Sequence, residues 1–148
     1  MAEVRGISMN TNIVLDSFAL ICYFQDEPGA DKVEKIIEKA QNKEIKLYLN
    51  VVNLAEVRYI AKRRHGELAA KEAITTIPTL PIDIVPVDEP LALIAGEIKA
   101  NTSISLGDCF CAATALKFNA SVLTGDPEFQ QLEDQIKIIW LPQKGQKY

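Results

Sequence analysis

The sequence predicts an α/β domain whose mainly parallel sheet is covered by helices on both faces. Three observations carry this. Short apolar runs of strand length alternate with longer stretches in which apolar residues recur at helical period, the pattern of repeated β-α-β units. Acids stand where apolar strands end and helices begin, at Asp16 and Asp126. Between Asp108 and Asp126, residues 109–116 are almost all small or apolar, which implies a helix buried on nearly all sides. In an open α/β sheet ligands bind at the carboxyl ends of the strands, so these acids belong to the edge where chemistry is expected.

Residues 1–10 read as a flexible N-terminal segment, because the fold signal begins at Thr11. Thr11–Leu15 is the first strand. Its apolar Ile13, Val14 and Leu15 run into Asp16, and Ser17 is placed to cap an apolar helix over 18–24. Pro28 and Gly29 mark a turn. Ala30, Val33, Ile37 and Ala40 then form a stripe at helical period with Lys and Glu opposite, a scaffold helix. Residues 46–50 are a second strand, leading into a helix from Val51 that carries Asn53, Glu56, Arg58 and the basic triplet Lys62, Arg63 and Arg64. Glu56 stands out here. Val52 and Ile60 lie four residues to either side and Tyr59 at three, so no cation on its own helix is placed to pair with it. Such an acid either borders a packed face or turns toward a polar cavity.

Gly66 breaks that helix, and a further one over 67–77 is ended by Pro78 and Pro81. Residues 82–87 alternate as a strand and meet Asp88, which reads as the structural cap of a helix over 89–100; residues 101–104 are a loop. Ser105 starts the buried helix with Asp108 in its first turn, 120–123 is a short buried strand, and Asp126 precedes a helix opened by Pro127. Residues 136–140 are the last strand, so the domain spans 11–142 and leaves 143–148 as a polar tail. Each acid also has a purely structural use. Ser105 and Asp108 fit a capping box, and Asp126 before Pro127 is a good N-cap. The two together, beside a buried helix, tilt toward a site.

With 148 residues, 48% hydrophobic and 24% charged, the chain is large enough for one well-packed domain and small for two. No apolar run approaches the roughly 18 residues that span a bilayer, and the first ten residues lack a signal-peptide core, so a cytoplasmic protein without membrane contact is expected. Cys22, Cys109 and Cys111 are an odd number of thiols in apolar company, which suits a reducing compartment. Cys109 and Cys111 point to different sides of a helix, against a thiolate metal site. His65 is the only histidine, which removes His-rich zinc sites and most His-assisted nucleophiles. The net charge of −4 disfavours nucleic acid for the surface as a whole. Lys62, Arg63 and Arg64 could still hold a phosphate backbone one to two turns from Glu56, or could simply be a solvated helix end with cations near its favourable terminus.

Four pieces, V-L-D-S-F-A-L around Asp16, N-L-A-E-V around Glu56, S-L-G-D-C-F-C-A-A-T-A-L around Asp108 and L-T-G-D-P-E-F around Asp126, closely resemble the PIN domain, in particular the VapC-type toxin ribonucleases. The resemblance runs in order over about the whole of 11–140, and T-G-D-P-E-F following D-x-x-x-A-A-T-A-L is a specific pair. It implies a three-layer α/β/α fold with a central parallel five-stranded sheet in the order 3-2-1-4-5. It also implies that Asp16, Glu56, Asp108 and Asp126 are the catalytic acids that bind Mg²⁺ or Mn²⁺ for hydrolysis of RNA, with Ser17 and Thr124 as helpers near the metal. The partners it implies are an RNA substrate, a second copy of the chain and a small antitoxin whose C-terminal segment lies over the groove. None of the four acids departs from the pattern. The residue types agree, since hard divalent ions prefer oxygen ligands and a set without His or Cys suits Mg²⁺ or Mn²⁺ over zinc.

Three other readings compete. A haloacid-dehalogenase-like phosphatase wants a second acid two residues after its strand-end Asp, where this chain has Phe18. A receiver-like phosphoacceptor domain leaves Glu56 and the T-G-D-P-E-F ending unexplained. A catalytically silent PIN-fold interaction module has no need of intact acids.

Overall fold

In the computed structural model, residues 11–142 are described. The expected N-terminal segment 1–10 and polar tail 143–148 lie outside the described residues. Five strands, β1 (Thr11–Leu15), β2 (Ile45–Asn50), β3 (Ile82–Val85), β4 (Ser121–Thr124) and β5 (Ile138–Trp140), form one sheet in the order β3-β2-β1-β4-β5. Every pairing is parallel. The helices between them are α1 (Ser17–Phe24), α2 (Ala30–Gln41), α3 (Val51–His65), α4 (Glu67–Thr76), α5 (Glu89–Asn101) and α6 (Leu106–Phe118).

The three layers follow from the two-residue period of the strands. Ile13 and Leu15 of β1, Leu47 and Leu49 of β2, Leu123 of β4 and Ile139 of β5 pack into one core with α1 to α4. Val14, Tyr48, Val122 and Val85 point the other way, into a second core with α5 and α6. β1 is therefore buried on both faces at Ile13, Val14 and Leu15, which is why these three residues are an unbroken apolar run. The outer strands are short, four residues in β3 and three in β5, which limits the unpaired edge they expose.

Boundaries moved where a local bond outcompeted the pattern. The strand expected over 82–87 stops at Val85 because Pro86 has no N–H to continue the ladder. The one expected from 136 starts only at Ile138, since the Ile136 N–H is taken by the Leu132 carbonyl at 2.9 Å. The helix expected to run to 77 ends at Thr76, and Pro78 sits in a 3-10 turn, Ile77–Thr79. Pro127 likewise opens a 3-10 segment, Pro127–Leu132, and not an α-helix. α6 is less enclosed than expected: Phe110 is half-buried and Leu116 is 42% exposed, because the sheet, α5 and α3 leave one strip of it facing solvent.

The chain reaches β2 on one side of β1 and β4 on the other, so the order reverses between β1 and β4. The crevice outside the carboxyl ends of strands at such a reversal is the binding position of open α/β sheets. Asp16 follows β1 and Asp126 follows β4, so both stand at this crevice.

Candidate active site

Asp16 is the N-cap of α1: it is extended at φ −93° and its Oδ1 accepts from the Ala19 N–H at 2.8 Å. This corrects the expectation that Ser17 caps this helix; Ser17 is its first residue, buried and lining the cleft below. The other oxygen, Oδ2, accepts a short hydrogen bond from the Thr124 hydroxyl. Thr124 Oγ1 in turn accepts from the Asp126 N–H at 2.9 Å, so one buried threonine ties the acid after β1 to the acid after β4. Asp126 caps the 3-10 segment through the Glu128 N–H at 2.9 Å. Gly125 is required between them, since a Cβ there would overlap the Phe18 ring and come within 2.7 Å of the Pro142 carbonyl oxygen.

Asp108 sits in the first turn of α6, where Ser105 caps by accepting the Asp108 N–H at 3.2 Å. Its side chain is buried, with a carboxylate oxygen within 4.8 Å of one of Asp126. Glu56 comes from α3. Its partner is a neutral donor at i−3, with Asn53 Nδ2 giving a hydrogen bond to Glu56 Oε1 at 2.8 Å. Asn53 carried no role in the sequence pattern; its spacing of three from an otherwise unpaired acid was the available signal.

Burial pushes Asp16 up to about 7, against the Thr124 and Ala19 hydrogen bonds, with the charges of Asp126 and Glu56 adding to the rise. Asp108 is pushed up to about 9, first by burial and then by the charge of Asp16, the hydrogen bond to Asp126 and the charges of Asp126 and Glu56. The four acids nominated from sequence thus feel one another. Among the described residues, the carboxylate oxygens that lie within 4.8 Å of one another belong to Asp108, Asp126 and Glu128, so this group includes an acid that was not nominated and leaves out Asp16 and Glu56. Glu128 was legible as the E of T-G-D-P-E-F, two residues past Asp126.

A cleft of about 620 Å³ opens over these groups. Glu56, Asp108 and Asp126 line it beside apolar Phe18, Ile21 and Ile60. Of the basic triplet only Arg64 lines it, because Glu56, Ile60 and Arg64 repeat every four residues along α3. Lys62 pairs instead with Glu67 at 3.2 Å, and Arg63 lies over the Tyr59 ring at 5.0 Å. Asp88, read as structural, is the N-cap of α5, accepting the Leu91 N–H at 3.0 Å.

The PIN domain family model matches residues 13–135. The chain belongs to the PIN domain family. No curated protein matches it. Among solved structures, the PIN domain here resembles VapBC2 from Rickettsia felis, bound to a DNA fragment from its promoter, at 15% identity and a TM-score of 0.71, covering 88% of this chain and 99% of that one. VapBC-1 from nontypeable Haemophilus influenzae matches at 20% identity and 0.65, covering 88% and 98%. VapC20 of Mycobacterium tuberculosis, a Sarcin-Ricin loop cleaving toxin, matches at 17% and 0.65, covering 80% and 93%. At these identities the likeness speaks for the fold. Among the described residues of this PIN domain, no helix is long and apolar enough to cross a membrane.

The donor set suits a divalent ion by its own chemistry. Every titratable group lining the cleft besides Arg64 is a carboxylate, three carboxylates approach within 4.8 Å, and two of the acids are held protonated far above their ordinary range. Such a set is short of positive charge and offers only hard oxygen donors, which fits Mg²⁺ or Mn²⁺.

Proposed function

We propose that this PIN domain is a divalent-metal-dependent endoribonuclease, the toxin of a VapBC-type toxin–antitoxin pair, acting in the cytoplasm. The observation that supports the reading is that Glu56, Asp108 and Asp126 line one cleft at the strand reversal, with Asp16 buried behind it and tied to Asp126 through Thr124, and with burial and the neighbouring charges raising Asp16 and Asp108. These four acids would hold the ion, Mg²⁺ or Mn²⁺. Such an ion supplies Lewis-acid charge that polarises a phosphodiester and acidifies water.

The chain's own residues do the rest. Thr124 fixes Asp16 by donating to Oδ2, and Asp16 in turn cannot swing out of the cluster without losing its cap of α1. With the ion bound, a carboxylate such as Asp108 or Glu56 would position the attacking water. Arg64 is placed to hold a phosphate of the RNA backbone, while Lys62 and Arg63 are occupied elsewhere. The deciding experiment is a metal titration followed by RNA cleavage and phosphatase assays on the same preparation; phosphatase activity without RNA cleavage would overturn the assignment.

Two further outcomes are expected. Arg64→Ala should raise KM for RNA about tenfold and lower the slope of binding against salt by about one phosphate contact, with Lys62→Ala nearer to the parent. Equal effects from both would remove Arg64 from the groove. By its resemblance to VapC-type toxins, the chain should form a homodimer and bind a small antitoxin across the cleft, where Phe18, Ile21 and Ile60 offer an apolar wall. Light scattering that gives a monomer at micromolar concentration, with no small protein co-purifying from the native host, would count against this.

A further inference from the structure

We infer that Asn53 is a positioning residue that sets the Glu56 carboxylate and ties it to the turn carrying Asp108, an inference that rests on the metal-site reading above. Asn53 is fully buried on α3, three residues before Glu56 and on the same helix face. Its amide group spends both hydrogens: one on Glu56 Oε1 at 2.8 Å, the other on the Gly107 carbonyl at 3.1 Å in the first turn of α6. From the other side, Glu56 lies against Gly107 so closely that any Cβ there would overlap its carboxylate. Glu56 is therefore held between an amide donor and a bare backbone.

A second asparagine bolts the same two helices together. Asn50 caps α3 through the Val52 N–H at 2.8 Å and donates to Thr114 Oγ1 at 2.9 Å, two turns along α6 from Gly107. With α3 anchored in this way, the Asn53 bonds are not needed merely to dock the helices. The Asn53 Oδ1 atom strengthens the point: it is buried and has no hydrogen-bond partner among the described residues, an arrangement that costs stability. A residue kept for stability alone would not leave an acceptor orphaned there. The donor half is what the site uses, because a carboxylate already fixed in place loses less side-chain freedom when it takes up an ion.

The test is Asn53→Leu in the full chain, followed by thermal denaturation in a MnCl₂ titration and by RNA cleavage kinetics. The variant removes both the donor and the orphaned acceptor, so its metal-free Tm should equal or exceed the parent's. The Mn²⁺ concentration for half-maximal stabilisation should rise about tenfold or more, and kcat should fall with KM for RNA unchanged. In a Glu56→Ala background Asn53→Leu should add nothing to either loss, since the effect runs through that carboxylate. Should Asn53→Leu fail to fold, Gly107→Ala displaces the same carboxylate from the opposite side with Asn53 intact and should give the same loss of Mn²⁺ affinity. A parent-like Mn²⁺ midpoint in the folded single variant, or an equal further loss in the Glu56→Ala background, overturns the positioning role while leaving the metal site standing. A parent protein with no response to Mn²⁺ overturns the site reading itself and this inference with it.

Discussion

Asp108→Asn and Asp126→Asn are each expected to lower RNA cleavage by roughly a hundred- to ten-thousand-fold while the protein stays folded. Asn keeps the size of the side chain and is as good an N-cap as Asp, so the Asp126 bond to the Glu128 N–H survives the change. What is lost is a charged oxygen in a group where three carboxylates lie within 4.8 Å. The two roles open to these acids predict opposite signs. An acid that only caps should cost little when replaced by Asn and leave activity untouched. A member of a repelling cluster should become easier to bury once neutral, so the metal-free Tm of Asp108→Asn should hold or rise, Asp108 being driven upward first by burial and then by its neighbours' charges. Asp88→Asn is the control, since Asp88 caps α5 and makes only a long, half-exposed contact with Lys117 at 3.9 Å. Its cleavage rate should match the parent's. Near-parent cleavage by the Asp108→Asn protein, with contaminating nucleases excluded, would remove α6 from the active site.

The features legible in sequence were those set by short-range chemistry. The end of Thr11–Leu15 was placed correctly because the apolar Ile13–Leu15 run meets Asp16, whose side chain takes the Ala19 N–H and opens α1. The α5 and α6 starts followed from Asp88 and Ser105, residues whose side chains reach their own helix three positions on. The strand order required the family resemblance, because hydrophobic period alone does not say which strands are neighbours; the observed order agrees with it. Asn53 and Gly107 were not singled out because their meaning lies between α3 and α6, 54 positions apart in sequence. The basic triplet shows the same limit. Its three cations look equivalent in sequence, yet helical geometry sends Arg64 to the cleft and leaves Lys62 to Glu67.

In the absence of divalent metal, stability is expected to fall as pH rises from about 4 toward 9, and Mg²⁺ or Mn²⁺ to reverse most of that loss. Asp16 and Asp108 are both raised above the ordinary 3.8, to about 7 and about 9. Between those limits the folded chain holds protons that the unfolded chain has released, so raising the pH favours unfolding. Below 3.8 both states are protonated and the two groups contribute nothing; above about 9 both are ionised and the full penalty is present. A bound divalent ion replaces those protons with positive charge, so the stabilisation it gives should be larger at pH 8 than at pH 6. At a hundredfold excess over Kd the gain is about 2.7 kcal/mol, which for a domain of this size moves Tm by several degrees, at about 2–4 °C per kcal/mol. Monovalent salt at matched ionic strength should not substitute, because Asp16 and Asp108, the two acids that carry the penalty, are buried and poorly screened. Thermal denaturation across pH, with and without MgCl₂ or MnCl₂, reads both slopes in one experiment. Asp16→Asn should flatten the metal-free pH dependence in its lower part, up to about pH 7, and blunt the response to metal. If Asp16→Asn and Asp126→Asn proteins keep the parent's metal-dependent rise, the ion binds somewhere other than at these acids.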